Sequence, residues 1–170
     1  MTPETSSRAV AVGTVDSAYM AQALVEVAVE VFDTMIGKPL VPSAQPSMNT
    51  NRPEATVVGT VGFAGSANGL VSFGTSRAAA VEITAAMLGL DPADVTNDDM
   101  PDAVGEVTNM ITGSFRTRMA KDGKGWSITM PVVTVAEDML VRYSSSAIRM
   151  LCPFTMGAHQ VFVELVLQGD

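Results

Sequence analysis

The sequence is short of the residues that most catalytic and metal sites use. Its 170 residues contain one cysteine, Cys152, and one histidine, His159. A single cysteine excludes an internal disulfide and a metal site with several cysteine ligands. Cys152 lies in the apolar run IRMLCPF, so we interpret it as a buried structural thiol. His159 has no sequence neighbour that would complete a metal cluster or a Cys–His nucleophile, and we interpret it as structural too.

Positive charge and long hydrophobic runs are also scarce. Ten lysines and arginines stand against 18 aspartates and glutamates, which gives a formal net charge of −8. A chain without a basic surplus is a poor candidate for binding a nucleic-acid backbone. No run approaches the roughly 20 apolar residues of a membrane helix, and the first residues lack the plan of a signal peptide. We therefore expect a cytoplasmic protein that binds neither nucleic acid nor membrane.

Apolar residues are plentiful, at 47% of the chain, which is enough for one sizeable core. We predict a tail at residues 1–14 and a single domain at 15–170. Runs of helix formers followed by glycine predict helices at 16–36 and 75–88, and a third helix ends at Met119.

Six runs have the composition or alternation of β-strands. They are ATVVGTVGFAG, GLVSFG, WSITMPVVTV, MLVRY, SAIRMLCPF and HQVFVELVL. The Pro-, Asn- and Ser-rich residues 41–54 are interpreted as a loop. Because short turns join several of the runs, the strands should pair mostly antiparallel. The sequence thus predicts an α+β fold, a mostly antiparallel sheet of about six strands with three helices packed on it.

The third helix carries polar residues along one side. At about 100° per residue, this side, which we call the acid–amide face, consists of Asp102, Glu106, Asn109, Gly113 and Arg116. The opposite side should face the core, and it consists of Val104, Val107, Ile111 and Phe115. Glu106 and Asn109 are therefore expected side by side in solvent, one turn apart.

Two glycines interrupt this helix at a cost of about 1 kcal/mol each. Gly113 belongs to the acid–amide face, and Gly105 is expected beside it. Because a glycine on an exposed face lets another backbone come close, the pattern favours a surface that docks against a partner. A solvated face with two tolerated glycines remains the alternative.

The chain contains an internal echo of this helix. EVFDTMIG at 30–37 aligns without a gap with EVTNMITG at 106–113, so that Asp33 corresponds to Asn109. This favours an ancient duplication with two helices packed side by side, although chance similarity stays open. An amide accepts and donates hydrogen bonds, whereas a carboxylate only accepts them and would repel a phosphoryl group. If the face does phosphate chemistry, the second copy is the active one.

Asp102, Glu106 and Asn109, followed by Pro131, resemble the signature of the CheC/CheX/FliY family of chemotaxis phosphatases. The segments DAVGEVTNMITG, ITMPVVTVAEDMLV and GLVSFGTSRAAAVEITAAMLGL resemble CheX-like members in particular. The resemblance extends from about residue 18 to residue 167.

The resemblance implies an activity and a division of roles. Such proteins hydrolyse the aspartyl phosphate of a CheY-like receiver domain in trans, and the receiver supplies the Mg²⁺. Asn109 would position the attacking water, and Glu106 would contact the receiver's lysine. The residues expected to contact the partner are Asp102, Gly105, Gly113, Arg116 and Pro131. The resemblance also implies an internal pseudo-repeat with one active helix and a homodimer through joined sheets.

Two other interpretations stay open. The first is a non-catalytic receiver-binding module or a scaffold like that of flagellar switch proteins, which lack the acid–amide pair. The second is a small-molecule binder with a methionine-rich cavity, since the chain has 12 methionines. No polar constellation supports the latter.

Overall fold

The computed structural model describes residues 11–12, 15–48, 50–120 and 125–169. Most of the expected N-terminal tail lies outside these residues, and the division at residue 15 stays a prediction. In chain order the helices and strands are β1 (Ala11–Val12), β2 (Val15–Asp16), α1 (Ser17–Val31), β3 (Val41–Pro42), β4 (Ser47–Met48), β5 (Val57–Ala64), β6 (Gly69–Thr75), α2 (Arg77–Leu88), α3 (Asp99–Met119), β7 (Ser127–Ile128), β8 (Val132–Val135), β9 (Ile148–Met156) and β10 (His159–Leu167).

The three helices lie close to their predicted positions. α1 begins after Asp16, whose side chain accepts a hydrogen bond from the Ala18 N–H at 2.9 Å. The helix continues in a π-helical turn, Phe32–Ile36, which Gly37 ends at a φ of 70°. Gly89 ends α2 in the same way at a φ of 65°. Glycine adopts this left-handed conformation without a Cβ clash, which explains why both helices end there.

One antiparallel sheet contains eight strands, more than the six or so predicted. Its order is β3-β9-β10-β6-β5-β7, with β4 also paired to β9 and β8 also paired to β5. The additional strands β3 and β4 come from the segment predicted as a loop, where two-residue strands leave little pattern to detect. β1 and β2 form a separate two-stranded pair.

The predicted strand at MLVRY, residues 139–143, is wrong. These residues belong to the connection 136–147, which leads from β8 at one edge of the sheet to β9 on the far side of β10. A chain that crosses neighbouring strands cannot pair with them along its length. Leu140 is accordingly 80% exposed, although its run has the alternation of a strand.

The helices cover one face of the sheet and enclose the main core with it. All four residues of the predicted apolar stripe of α3 are fully buried, namely Val104, Val107, Ile111 and Phe115. At the end of α3 the Phe63 and Trp126 rings stack with centroids 5.0 Å apart. The stripe therefore fixes α3 against the sheet and leaves its other side outward.

The opposite face of the sheet is held by a buried carboxylate. Glu164 on β10 is fully buried and bridges two guanidinium groups, with Oε2 2.5 Å from Arg52 Nη2 and Oε1 2.6 Å from Arg149 Nη2. The Tyr143 hydroxyl donates to Glu164 at 2.9 Å, which ties the connection 136–147 to the sheet. Burial, followed by the charge of Glu164, raises the pKa of Tyr143 to about 12.

The lone cysteine and histidine both have structural surroundings. Cys152 is 1% exposed on β9, and burial raises the pKa of its thiol to about 12. This confirms the interpretation of a buried thiol. His159 Nε2 lies 3.0 Å from Glu82 Oε1, and Lys38 Nζ lies 3.3 Å from the other oxygen of that carboxylate. Together they connect α2 with the start of β10 and with the residue that follows Gly37.

Candidate functional site

The start of α3 is fixed by reciprocal hydrogen bonds. Asp99 Oδ2 accepts from the Thr96 N–H at 2.9 Å and from the Thr96 hydroxyl at 2.6 Å, while the Asp99 N–H donates to Thr96 Oγ1 at 3.2 Å. This is a capping-box arrangement, which satisfies donors that a helix start leaves free. The bonds from Thr96 lower the pKa of Asp99.

The acid–amide face points outward, as predicted. Asp102 and Glu106 are exposed, while Asn109, Gly113 and Arg116 are half-buried. Within the described residues, the side chains of Glu106, Asn109 and Arg116 make no hydrogen bond or ion pair. The carboxylate, the amide and the guanidinium are therefore all available to another molecule.

A glycine on the sheet sets the distance between α3 and β5. A Cβ on Gly59 would lie 2.1 Å from Thr108 Oγ1 and 3.2 Å from the Val104 carbonyl oxygen. Thr108 is fully buried, and its hydroxyl donates to the Val104 carbonyl at 2.7 Å. Because Thr108 directly precedes Asn109, this close approach also fixes how far the Asn109 backbone lies from the sheet. Sequence reasoning missed Gly59, although a glycine inside a strand signals such an approach.

Gly105 is buried, and the expectation that its missing side chain opens the helix surface to a partner is wrong. The chain itself covers it: a Cβ there would lie 3.3 Å from Val133 Cγ2 and 3.6 Å from Pro131 Cγ. The absent side chain thus admits the segment before and within β8. Pro131 is exposed just ahead of β8, and the structure brings it onto α3 at Gly105, the residue before Glu106.

Gly113 has a different environment from Gly105. A Cβ on Gly113 would have no described atom within 4 Å apart from its chain neighbours and the backbone of its own helix. Internal packing therefore gives no reason for a glycine at this position. That Gly113 allows a partner to approach α3 stays a prediction.

A groove of about 720 Å³ runs between α1 and α3, and we call it the α1–α3 groove. Its lining is formed by Val27, Glu30, Val31, Thr34, Met35, Asn109, Met110, Gly113, Ser114, Arg116, Thr117, Arg118 and Ile128. Asn109 therefore belongs both to the acid–amide face and to the wall of this groove. The sequence motif on α3 does not predict that α1 and the π-helical turn form the other wall of this groove.

The first copy of the echo, residues 30–37, lacks the features of the second. Glu30, the counterpart of Glu106, is bound to Arg118 of α3 at 3.2 Å, and Glu26 is bound to the same guanidinium at 2.5 Å. Asp33 stands in the π-helical turn, and Gly37 ends that helix, whereas Gly113 lies in the middle of α3. The two helices do pack side by side, but they present different surfaces.

Two further findings concern metals and membranes. In the described part of the chain, no three His, Cys, Asp or Glu side chains are grouped so as to hold a metal ion. None of the described helices has the length and apolar character needed to cross a membrane.

Comparison with known proteins assigns the family. The family described as chemotaxis phosphatase CheX matches residues 57–155, which is more than half of the chain and includes α3, Pro131 and most of the sheet. The chain therefore belongs to the CheX family. No curated protein sequence matches it.

Solved structures share the fold over most of the chain. The crystal structure of a chemotaxis protein CheX from Desulfovibrio desulfuricans is 29% identical, with a TM-score of 0.78 over 88% of this chain and 99% of that one. CheX from Vibrio vulnificus is 25% identical, with a TM-score of 0.78 over 88% and 99%. The CheX–CheY–BeF3–Mg²⁺ complex from Borrelia burgdorferi is 20% identical, with a TM-score of 0.72 over 86% and 96%.

Proposed function

We propose that this protein hydrolyses the aspartyl phosphate of a CheY-like receiver domain in trans. The observation that carries the proposal is the Asn109 amide, which makes no hydrogen bond within the described residues and is partly exposed to solvent. It lies on α3 one turn after the carboxylate of Glu106, which is likewise without a partner there. Membership of a family of chemotaxis phosphatases supports the reaction class. The Borrelia relative, found in a complex with CheY, supports the class of partner.

The proposed reaction is an in-line displacement by water. The water oxygen bonds to phosphorus while the bond from phosphorus to the aspartyl oxygen breaks, so the products are the receiver's free carboxylate and inorganic phosphate. Asn109 Oδ1 accepts a hydrogen bond from the water, and Nδ2 donates to a phosphoryl oxygen. Placement of this kind is most of what phosphoryl transfer asks of a protein. The receiver brings the Mg²⁺ that offsets the phosphoryl charge, and this chain contributes no metal.

Glu106 has a separate role in the proposal. Its exposed carboxylate, one turn before Asn109, pairs with the receiver's lysine and aligns the two surfaces. Asp102, Gly113, Arg116 and Pro131 complete the contact. Gly105 does not touch the partner in this proposal. Its missing side chain lets Pro131 pack against α3.

Phosphate release from a phosphorylated receiver tests the proposal. Wild-type protein should accelerate release, and Asn109→Ala should abolish the acceleration while the circular dichroism spectrum stays unchanged. Glu106→Ala should raise KM more than it lowers kcat, because the pairing anchors the receiver. A folded Asn109→Ala variant with wild-type activity would refute the assignment. Binding of the receiver without acceleration by the wild type would favour the scaffold alternative.

We also propose a homodimer through joined sheets, in the cytoplasm where receiver domains act. The outer edge of β8 is a candidate for the joint, since Val132 and Val135 are 66% and 47% exposed there and Met130 just before it is 85% exposed. Exposed apolar residues on an edge strand favour pairing with another chain. Sedimentation equilibrium of the wild type and of Val132→Lys tests this; a monomeric wild type would refute it.

A further inference from the structure

The α1–α3 groove continues the surface that the proposed reaction uses. Asn109 lies on its wall, so any molecule that covers the amide also overlies part of the groove. The far wall includes Met35, whose side chain is 61% exposed on the π-helical turn. Single π-turns within helices occur frequently at functional sites. An exposed apolar side chain therefore stands across the groove from the amide.

Arg116, like Met35, lines the groove and has no part in the proposed chemistry at Asn109. Its half-buried guanidinium makes no ion pair or hydrogen bond with the described residues. Two positions later, Arg118 binds both Glu26 and Glu30. The helix dipole favours a cation in the last turns of α3, but Arg118 meets that preference equally well. Arg142 also lacks a partner in the described residues, but it is exposed, whereas Arg116 is half-buried and lines the groove beside Asn109. The Arg116 guanidinium is therefore placed to pair with an acid of a molecule bound in the groove.

Gly113 lies between the amide and the guanidinium on the same helix face. Because a side chain at this position would project into the groove, its absence makes the groove deeper at Gly113. A glycine is disfavoured inside a helix, so the gap has a cost that no internal contact offsets. A close approach by the backbone of a partner would offset it.

We infer that the α1–α3 groove is the recognition surface for the receiver, in which Arg116 pairs with a carboxylate and Met35 contacts an apolar side chain of the same receiver. This inference rests on the proposed function. Arg116 follows Asn109 by seven residues, or roughly 10 Å along the helix, and the inference places its contact on the receiver surface beside the phosphoryl group. Its contribution is therefore to affinity and partner choice, separate from the chemistry at Asn109. A second copy of the chain in the groove would cover Asn109, which argues for the receiver as the occupant.

Steady-state phosphate release, measured over a range of receiver concentrations, separates the two contributions. Arg116→Glu and Met35→Ser should each raise KM, the former by roughly tenfold or more, with kcat within about twofold of wild type. The matched controls are Arg142→Glu, an exposed arginine without a partner in the described residues, and Leu88→Ser, a 52% exposed residue of α2. Both controls should leave KM unchanged. An unaltered KM in Arg116→Glu, or a loss confined to kcat, would overturn the inference.

Gly113→Ala gives a readout that a structural role would not produce. Since the new methyl group meets no atom within 4 Å, the variant should unfold at a temperature higher by roughly 2–4 °C. Its KM should nevertheless rise, because the methyl group fills space reserved for the partner. A variant that is both more stable and unchanged in KM would contradict the inference.

A binding measurement distinguishes failure of the inference from failure of the proposed function. The probe is a receiver domain loaded with beryllofluoride and Mg²⁺, titrated into wild type and Arg116→Glu. If the wild type releases no phosphate but binds this receiver more tightly than Arg116→Glu does, recognition by the groove stands and the phosphatase proposal fails. Equal affinities would overturn the inference, as would an effect of Arg116→Glu on self-association alone.

Discussion

The close contact between α3 and the sheet makes Gly59→Ala the most informative stability variant. The new Cβ would lie 2.1 Å from Thr108 Oγ1, 3.1 Å from Thr108 Cβ and 3.2 Å from the Val104 carbonyl oxygen. Rotation of the threonine would relieve the first contact only, and it would break the 2.7 Å hydrogen bond from Thr108 to Val104. Either α3 moves outward or a buried hydroxyl loses its acceptor.

The magnitude follows from these two alternatives. Overpacking a core by one methyl group costs about 1–3 kcal/mol, and leaving a buried hydroxyl unpaired costs about as much. We expect Gly59→Ala to lower the free energy of unfolding by about 2 kcal/mol, which lowers the unfolding temperature by about 4–8 °C for a chain of this size. Activity should fall as well, because Asn109 follows the displaced Thr108.

Urea denaturation, followed by fluorescence of the single tryptophan, provides the assay. Trp126 is 4% exposed and stacked on Phe63, so unfolding should change its emission. Gly113→Ala serves as the control, since a methyl group there meets nothing and should add stability. The double variant Gly59→Ala/Thr108→Ala should lose less free energy of unfolding than the sum of the losses in the two single variants, because both substitutions act on one contact. Wild-type stability in Gly59→Ala would refute the reasoning.

Three other measurements test the fold. Glu164→Gln removes the charge between two arginines and should cost about 3 kcal/mol in urea denaturation; a loss below about 0.5 kcal/mol would contradict a stabilising role for the pair of bridges. With a thiol pKa of about 12, Cys152 should react with a thiol reagent at pH 8 at least roughly a thousandfold more slowly in the native state than in urea, and rapid native labelling would contradict its burial. The hydrogen bond from His159, followed by that from Lys38, lowers the pKa of Glu82 from 4.5, so this carboxylate stabilises the fold above that pH and loses its contribution as the pH falls through the folded-state pKa. Glu82→Gln should therefore flatten the decline in unfolding temperature between about pH 5 and pH 3; an unchanged acid profile would count against it.

The helices and long strands could be predicted because their signals are local. Glycine after a run of helix formers marks the ends of α1 and α2, and both Gly37 and Gly89 have the left-handed φ that such an ending requires. The outward side of α3 followed from periodicity alone, because a helix repeats its face whatever surrounds it.

The errors come from features that depend on distant parts of the chain. MLVRY alternates like a strand, but its place in the sheet order leaves it no partner to pair with. Gly105 lies under Pro131 and Val133, which are more than twenty residues away in sequence, so periodicity could not reveal that it is covered. The π-helical turn and the contribution of Met35 to the groove depend likewise on how α1 packs against α3. Local patterns therefore located the acid–amide pair, but not the groove beside it.

The central claim is that the Asn109 amide holds the hydrolytic water for a phosphoryl group on another protein. The most direct test is single-turnover dephosphorylation at saturating receiver by Asn109→Asp, which keeps the shape of the side chain but replaces its donor with a negative charge. We expect the rate constant to fall by at least roughly a hundredfold, which corresponds to about 2.7 kcal/mol, while the fold is retained. A rate equal to that of the wild type would contradict the account.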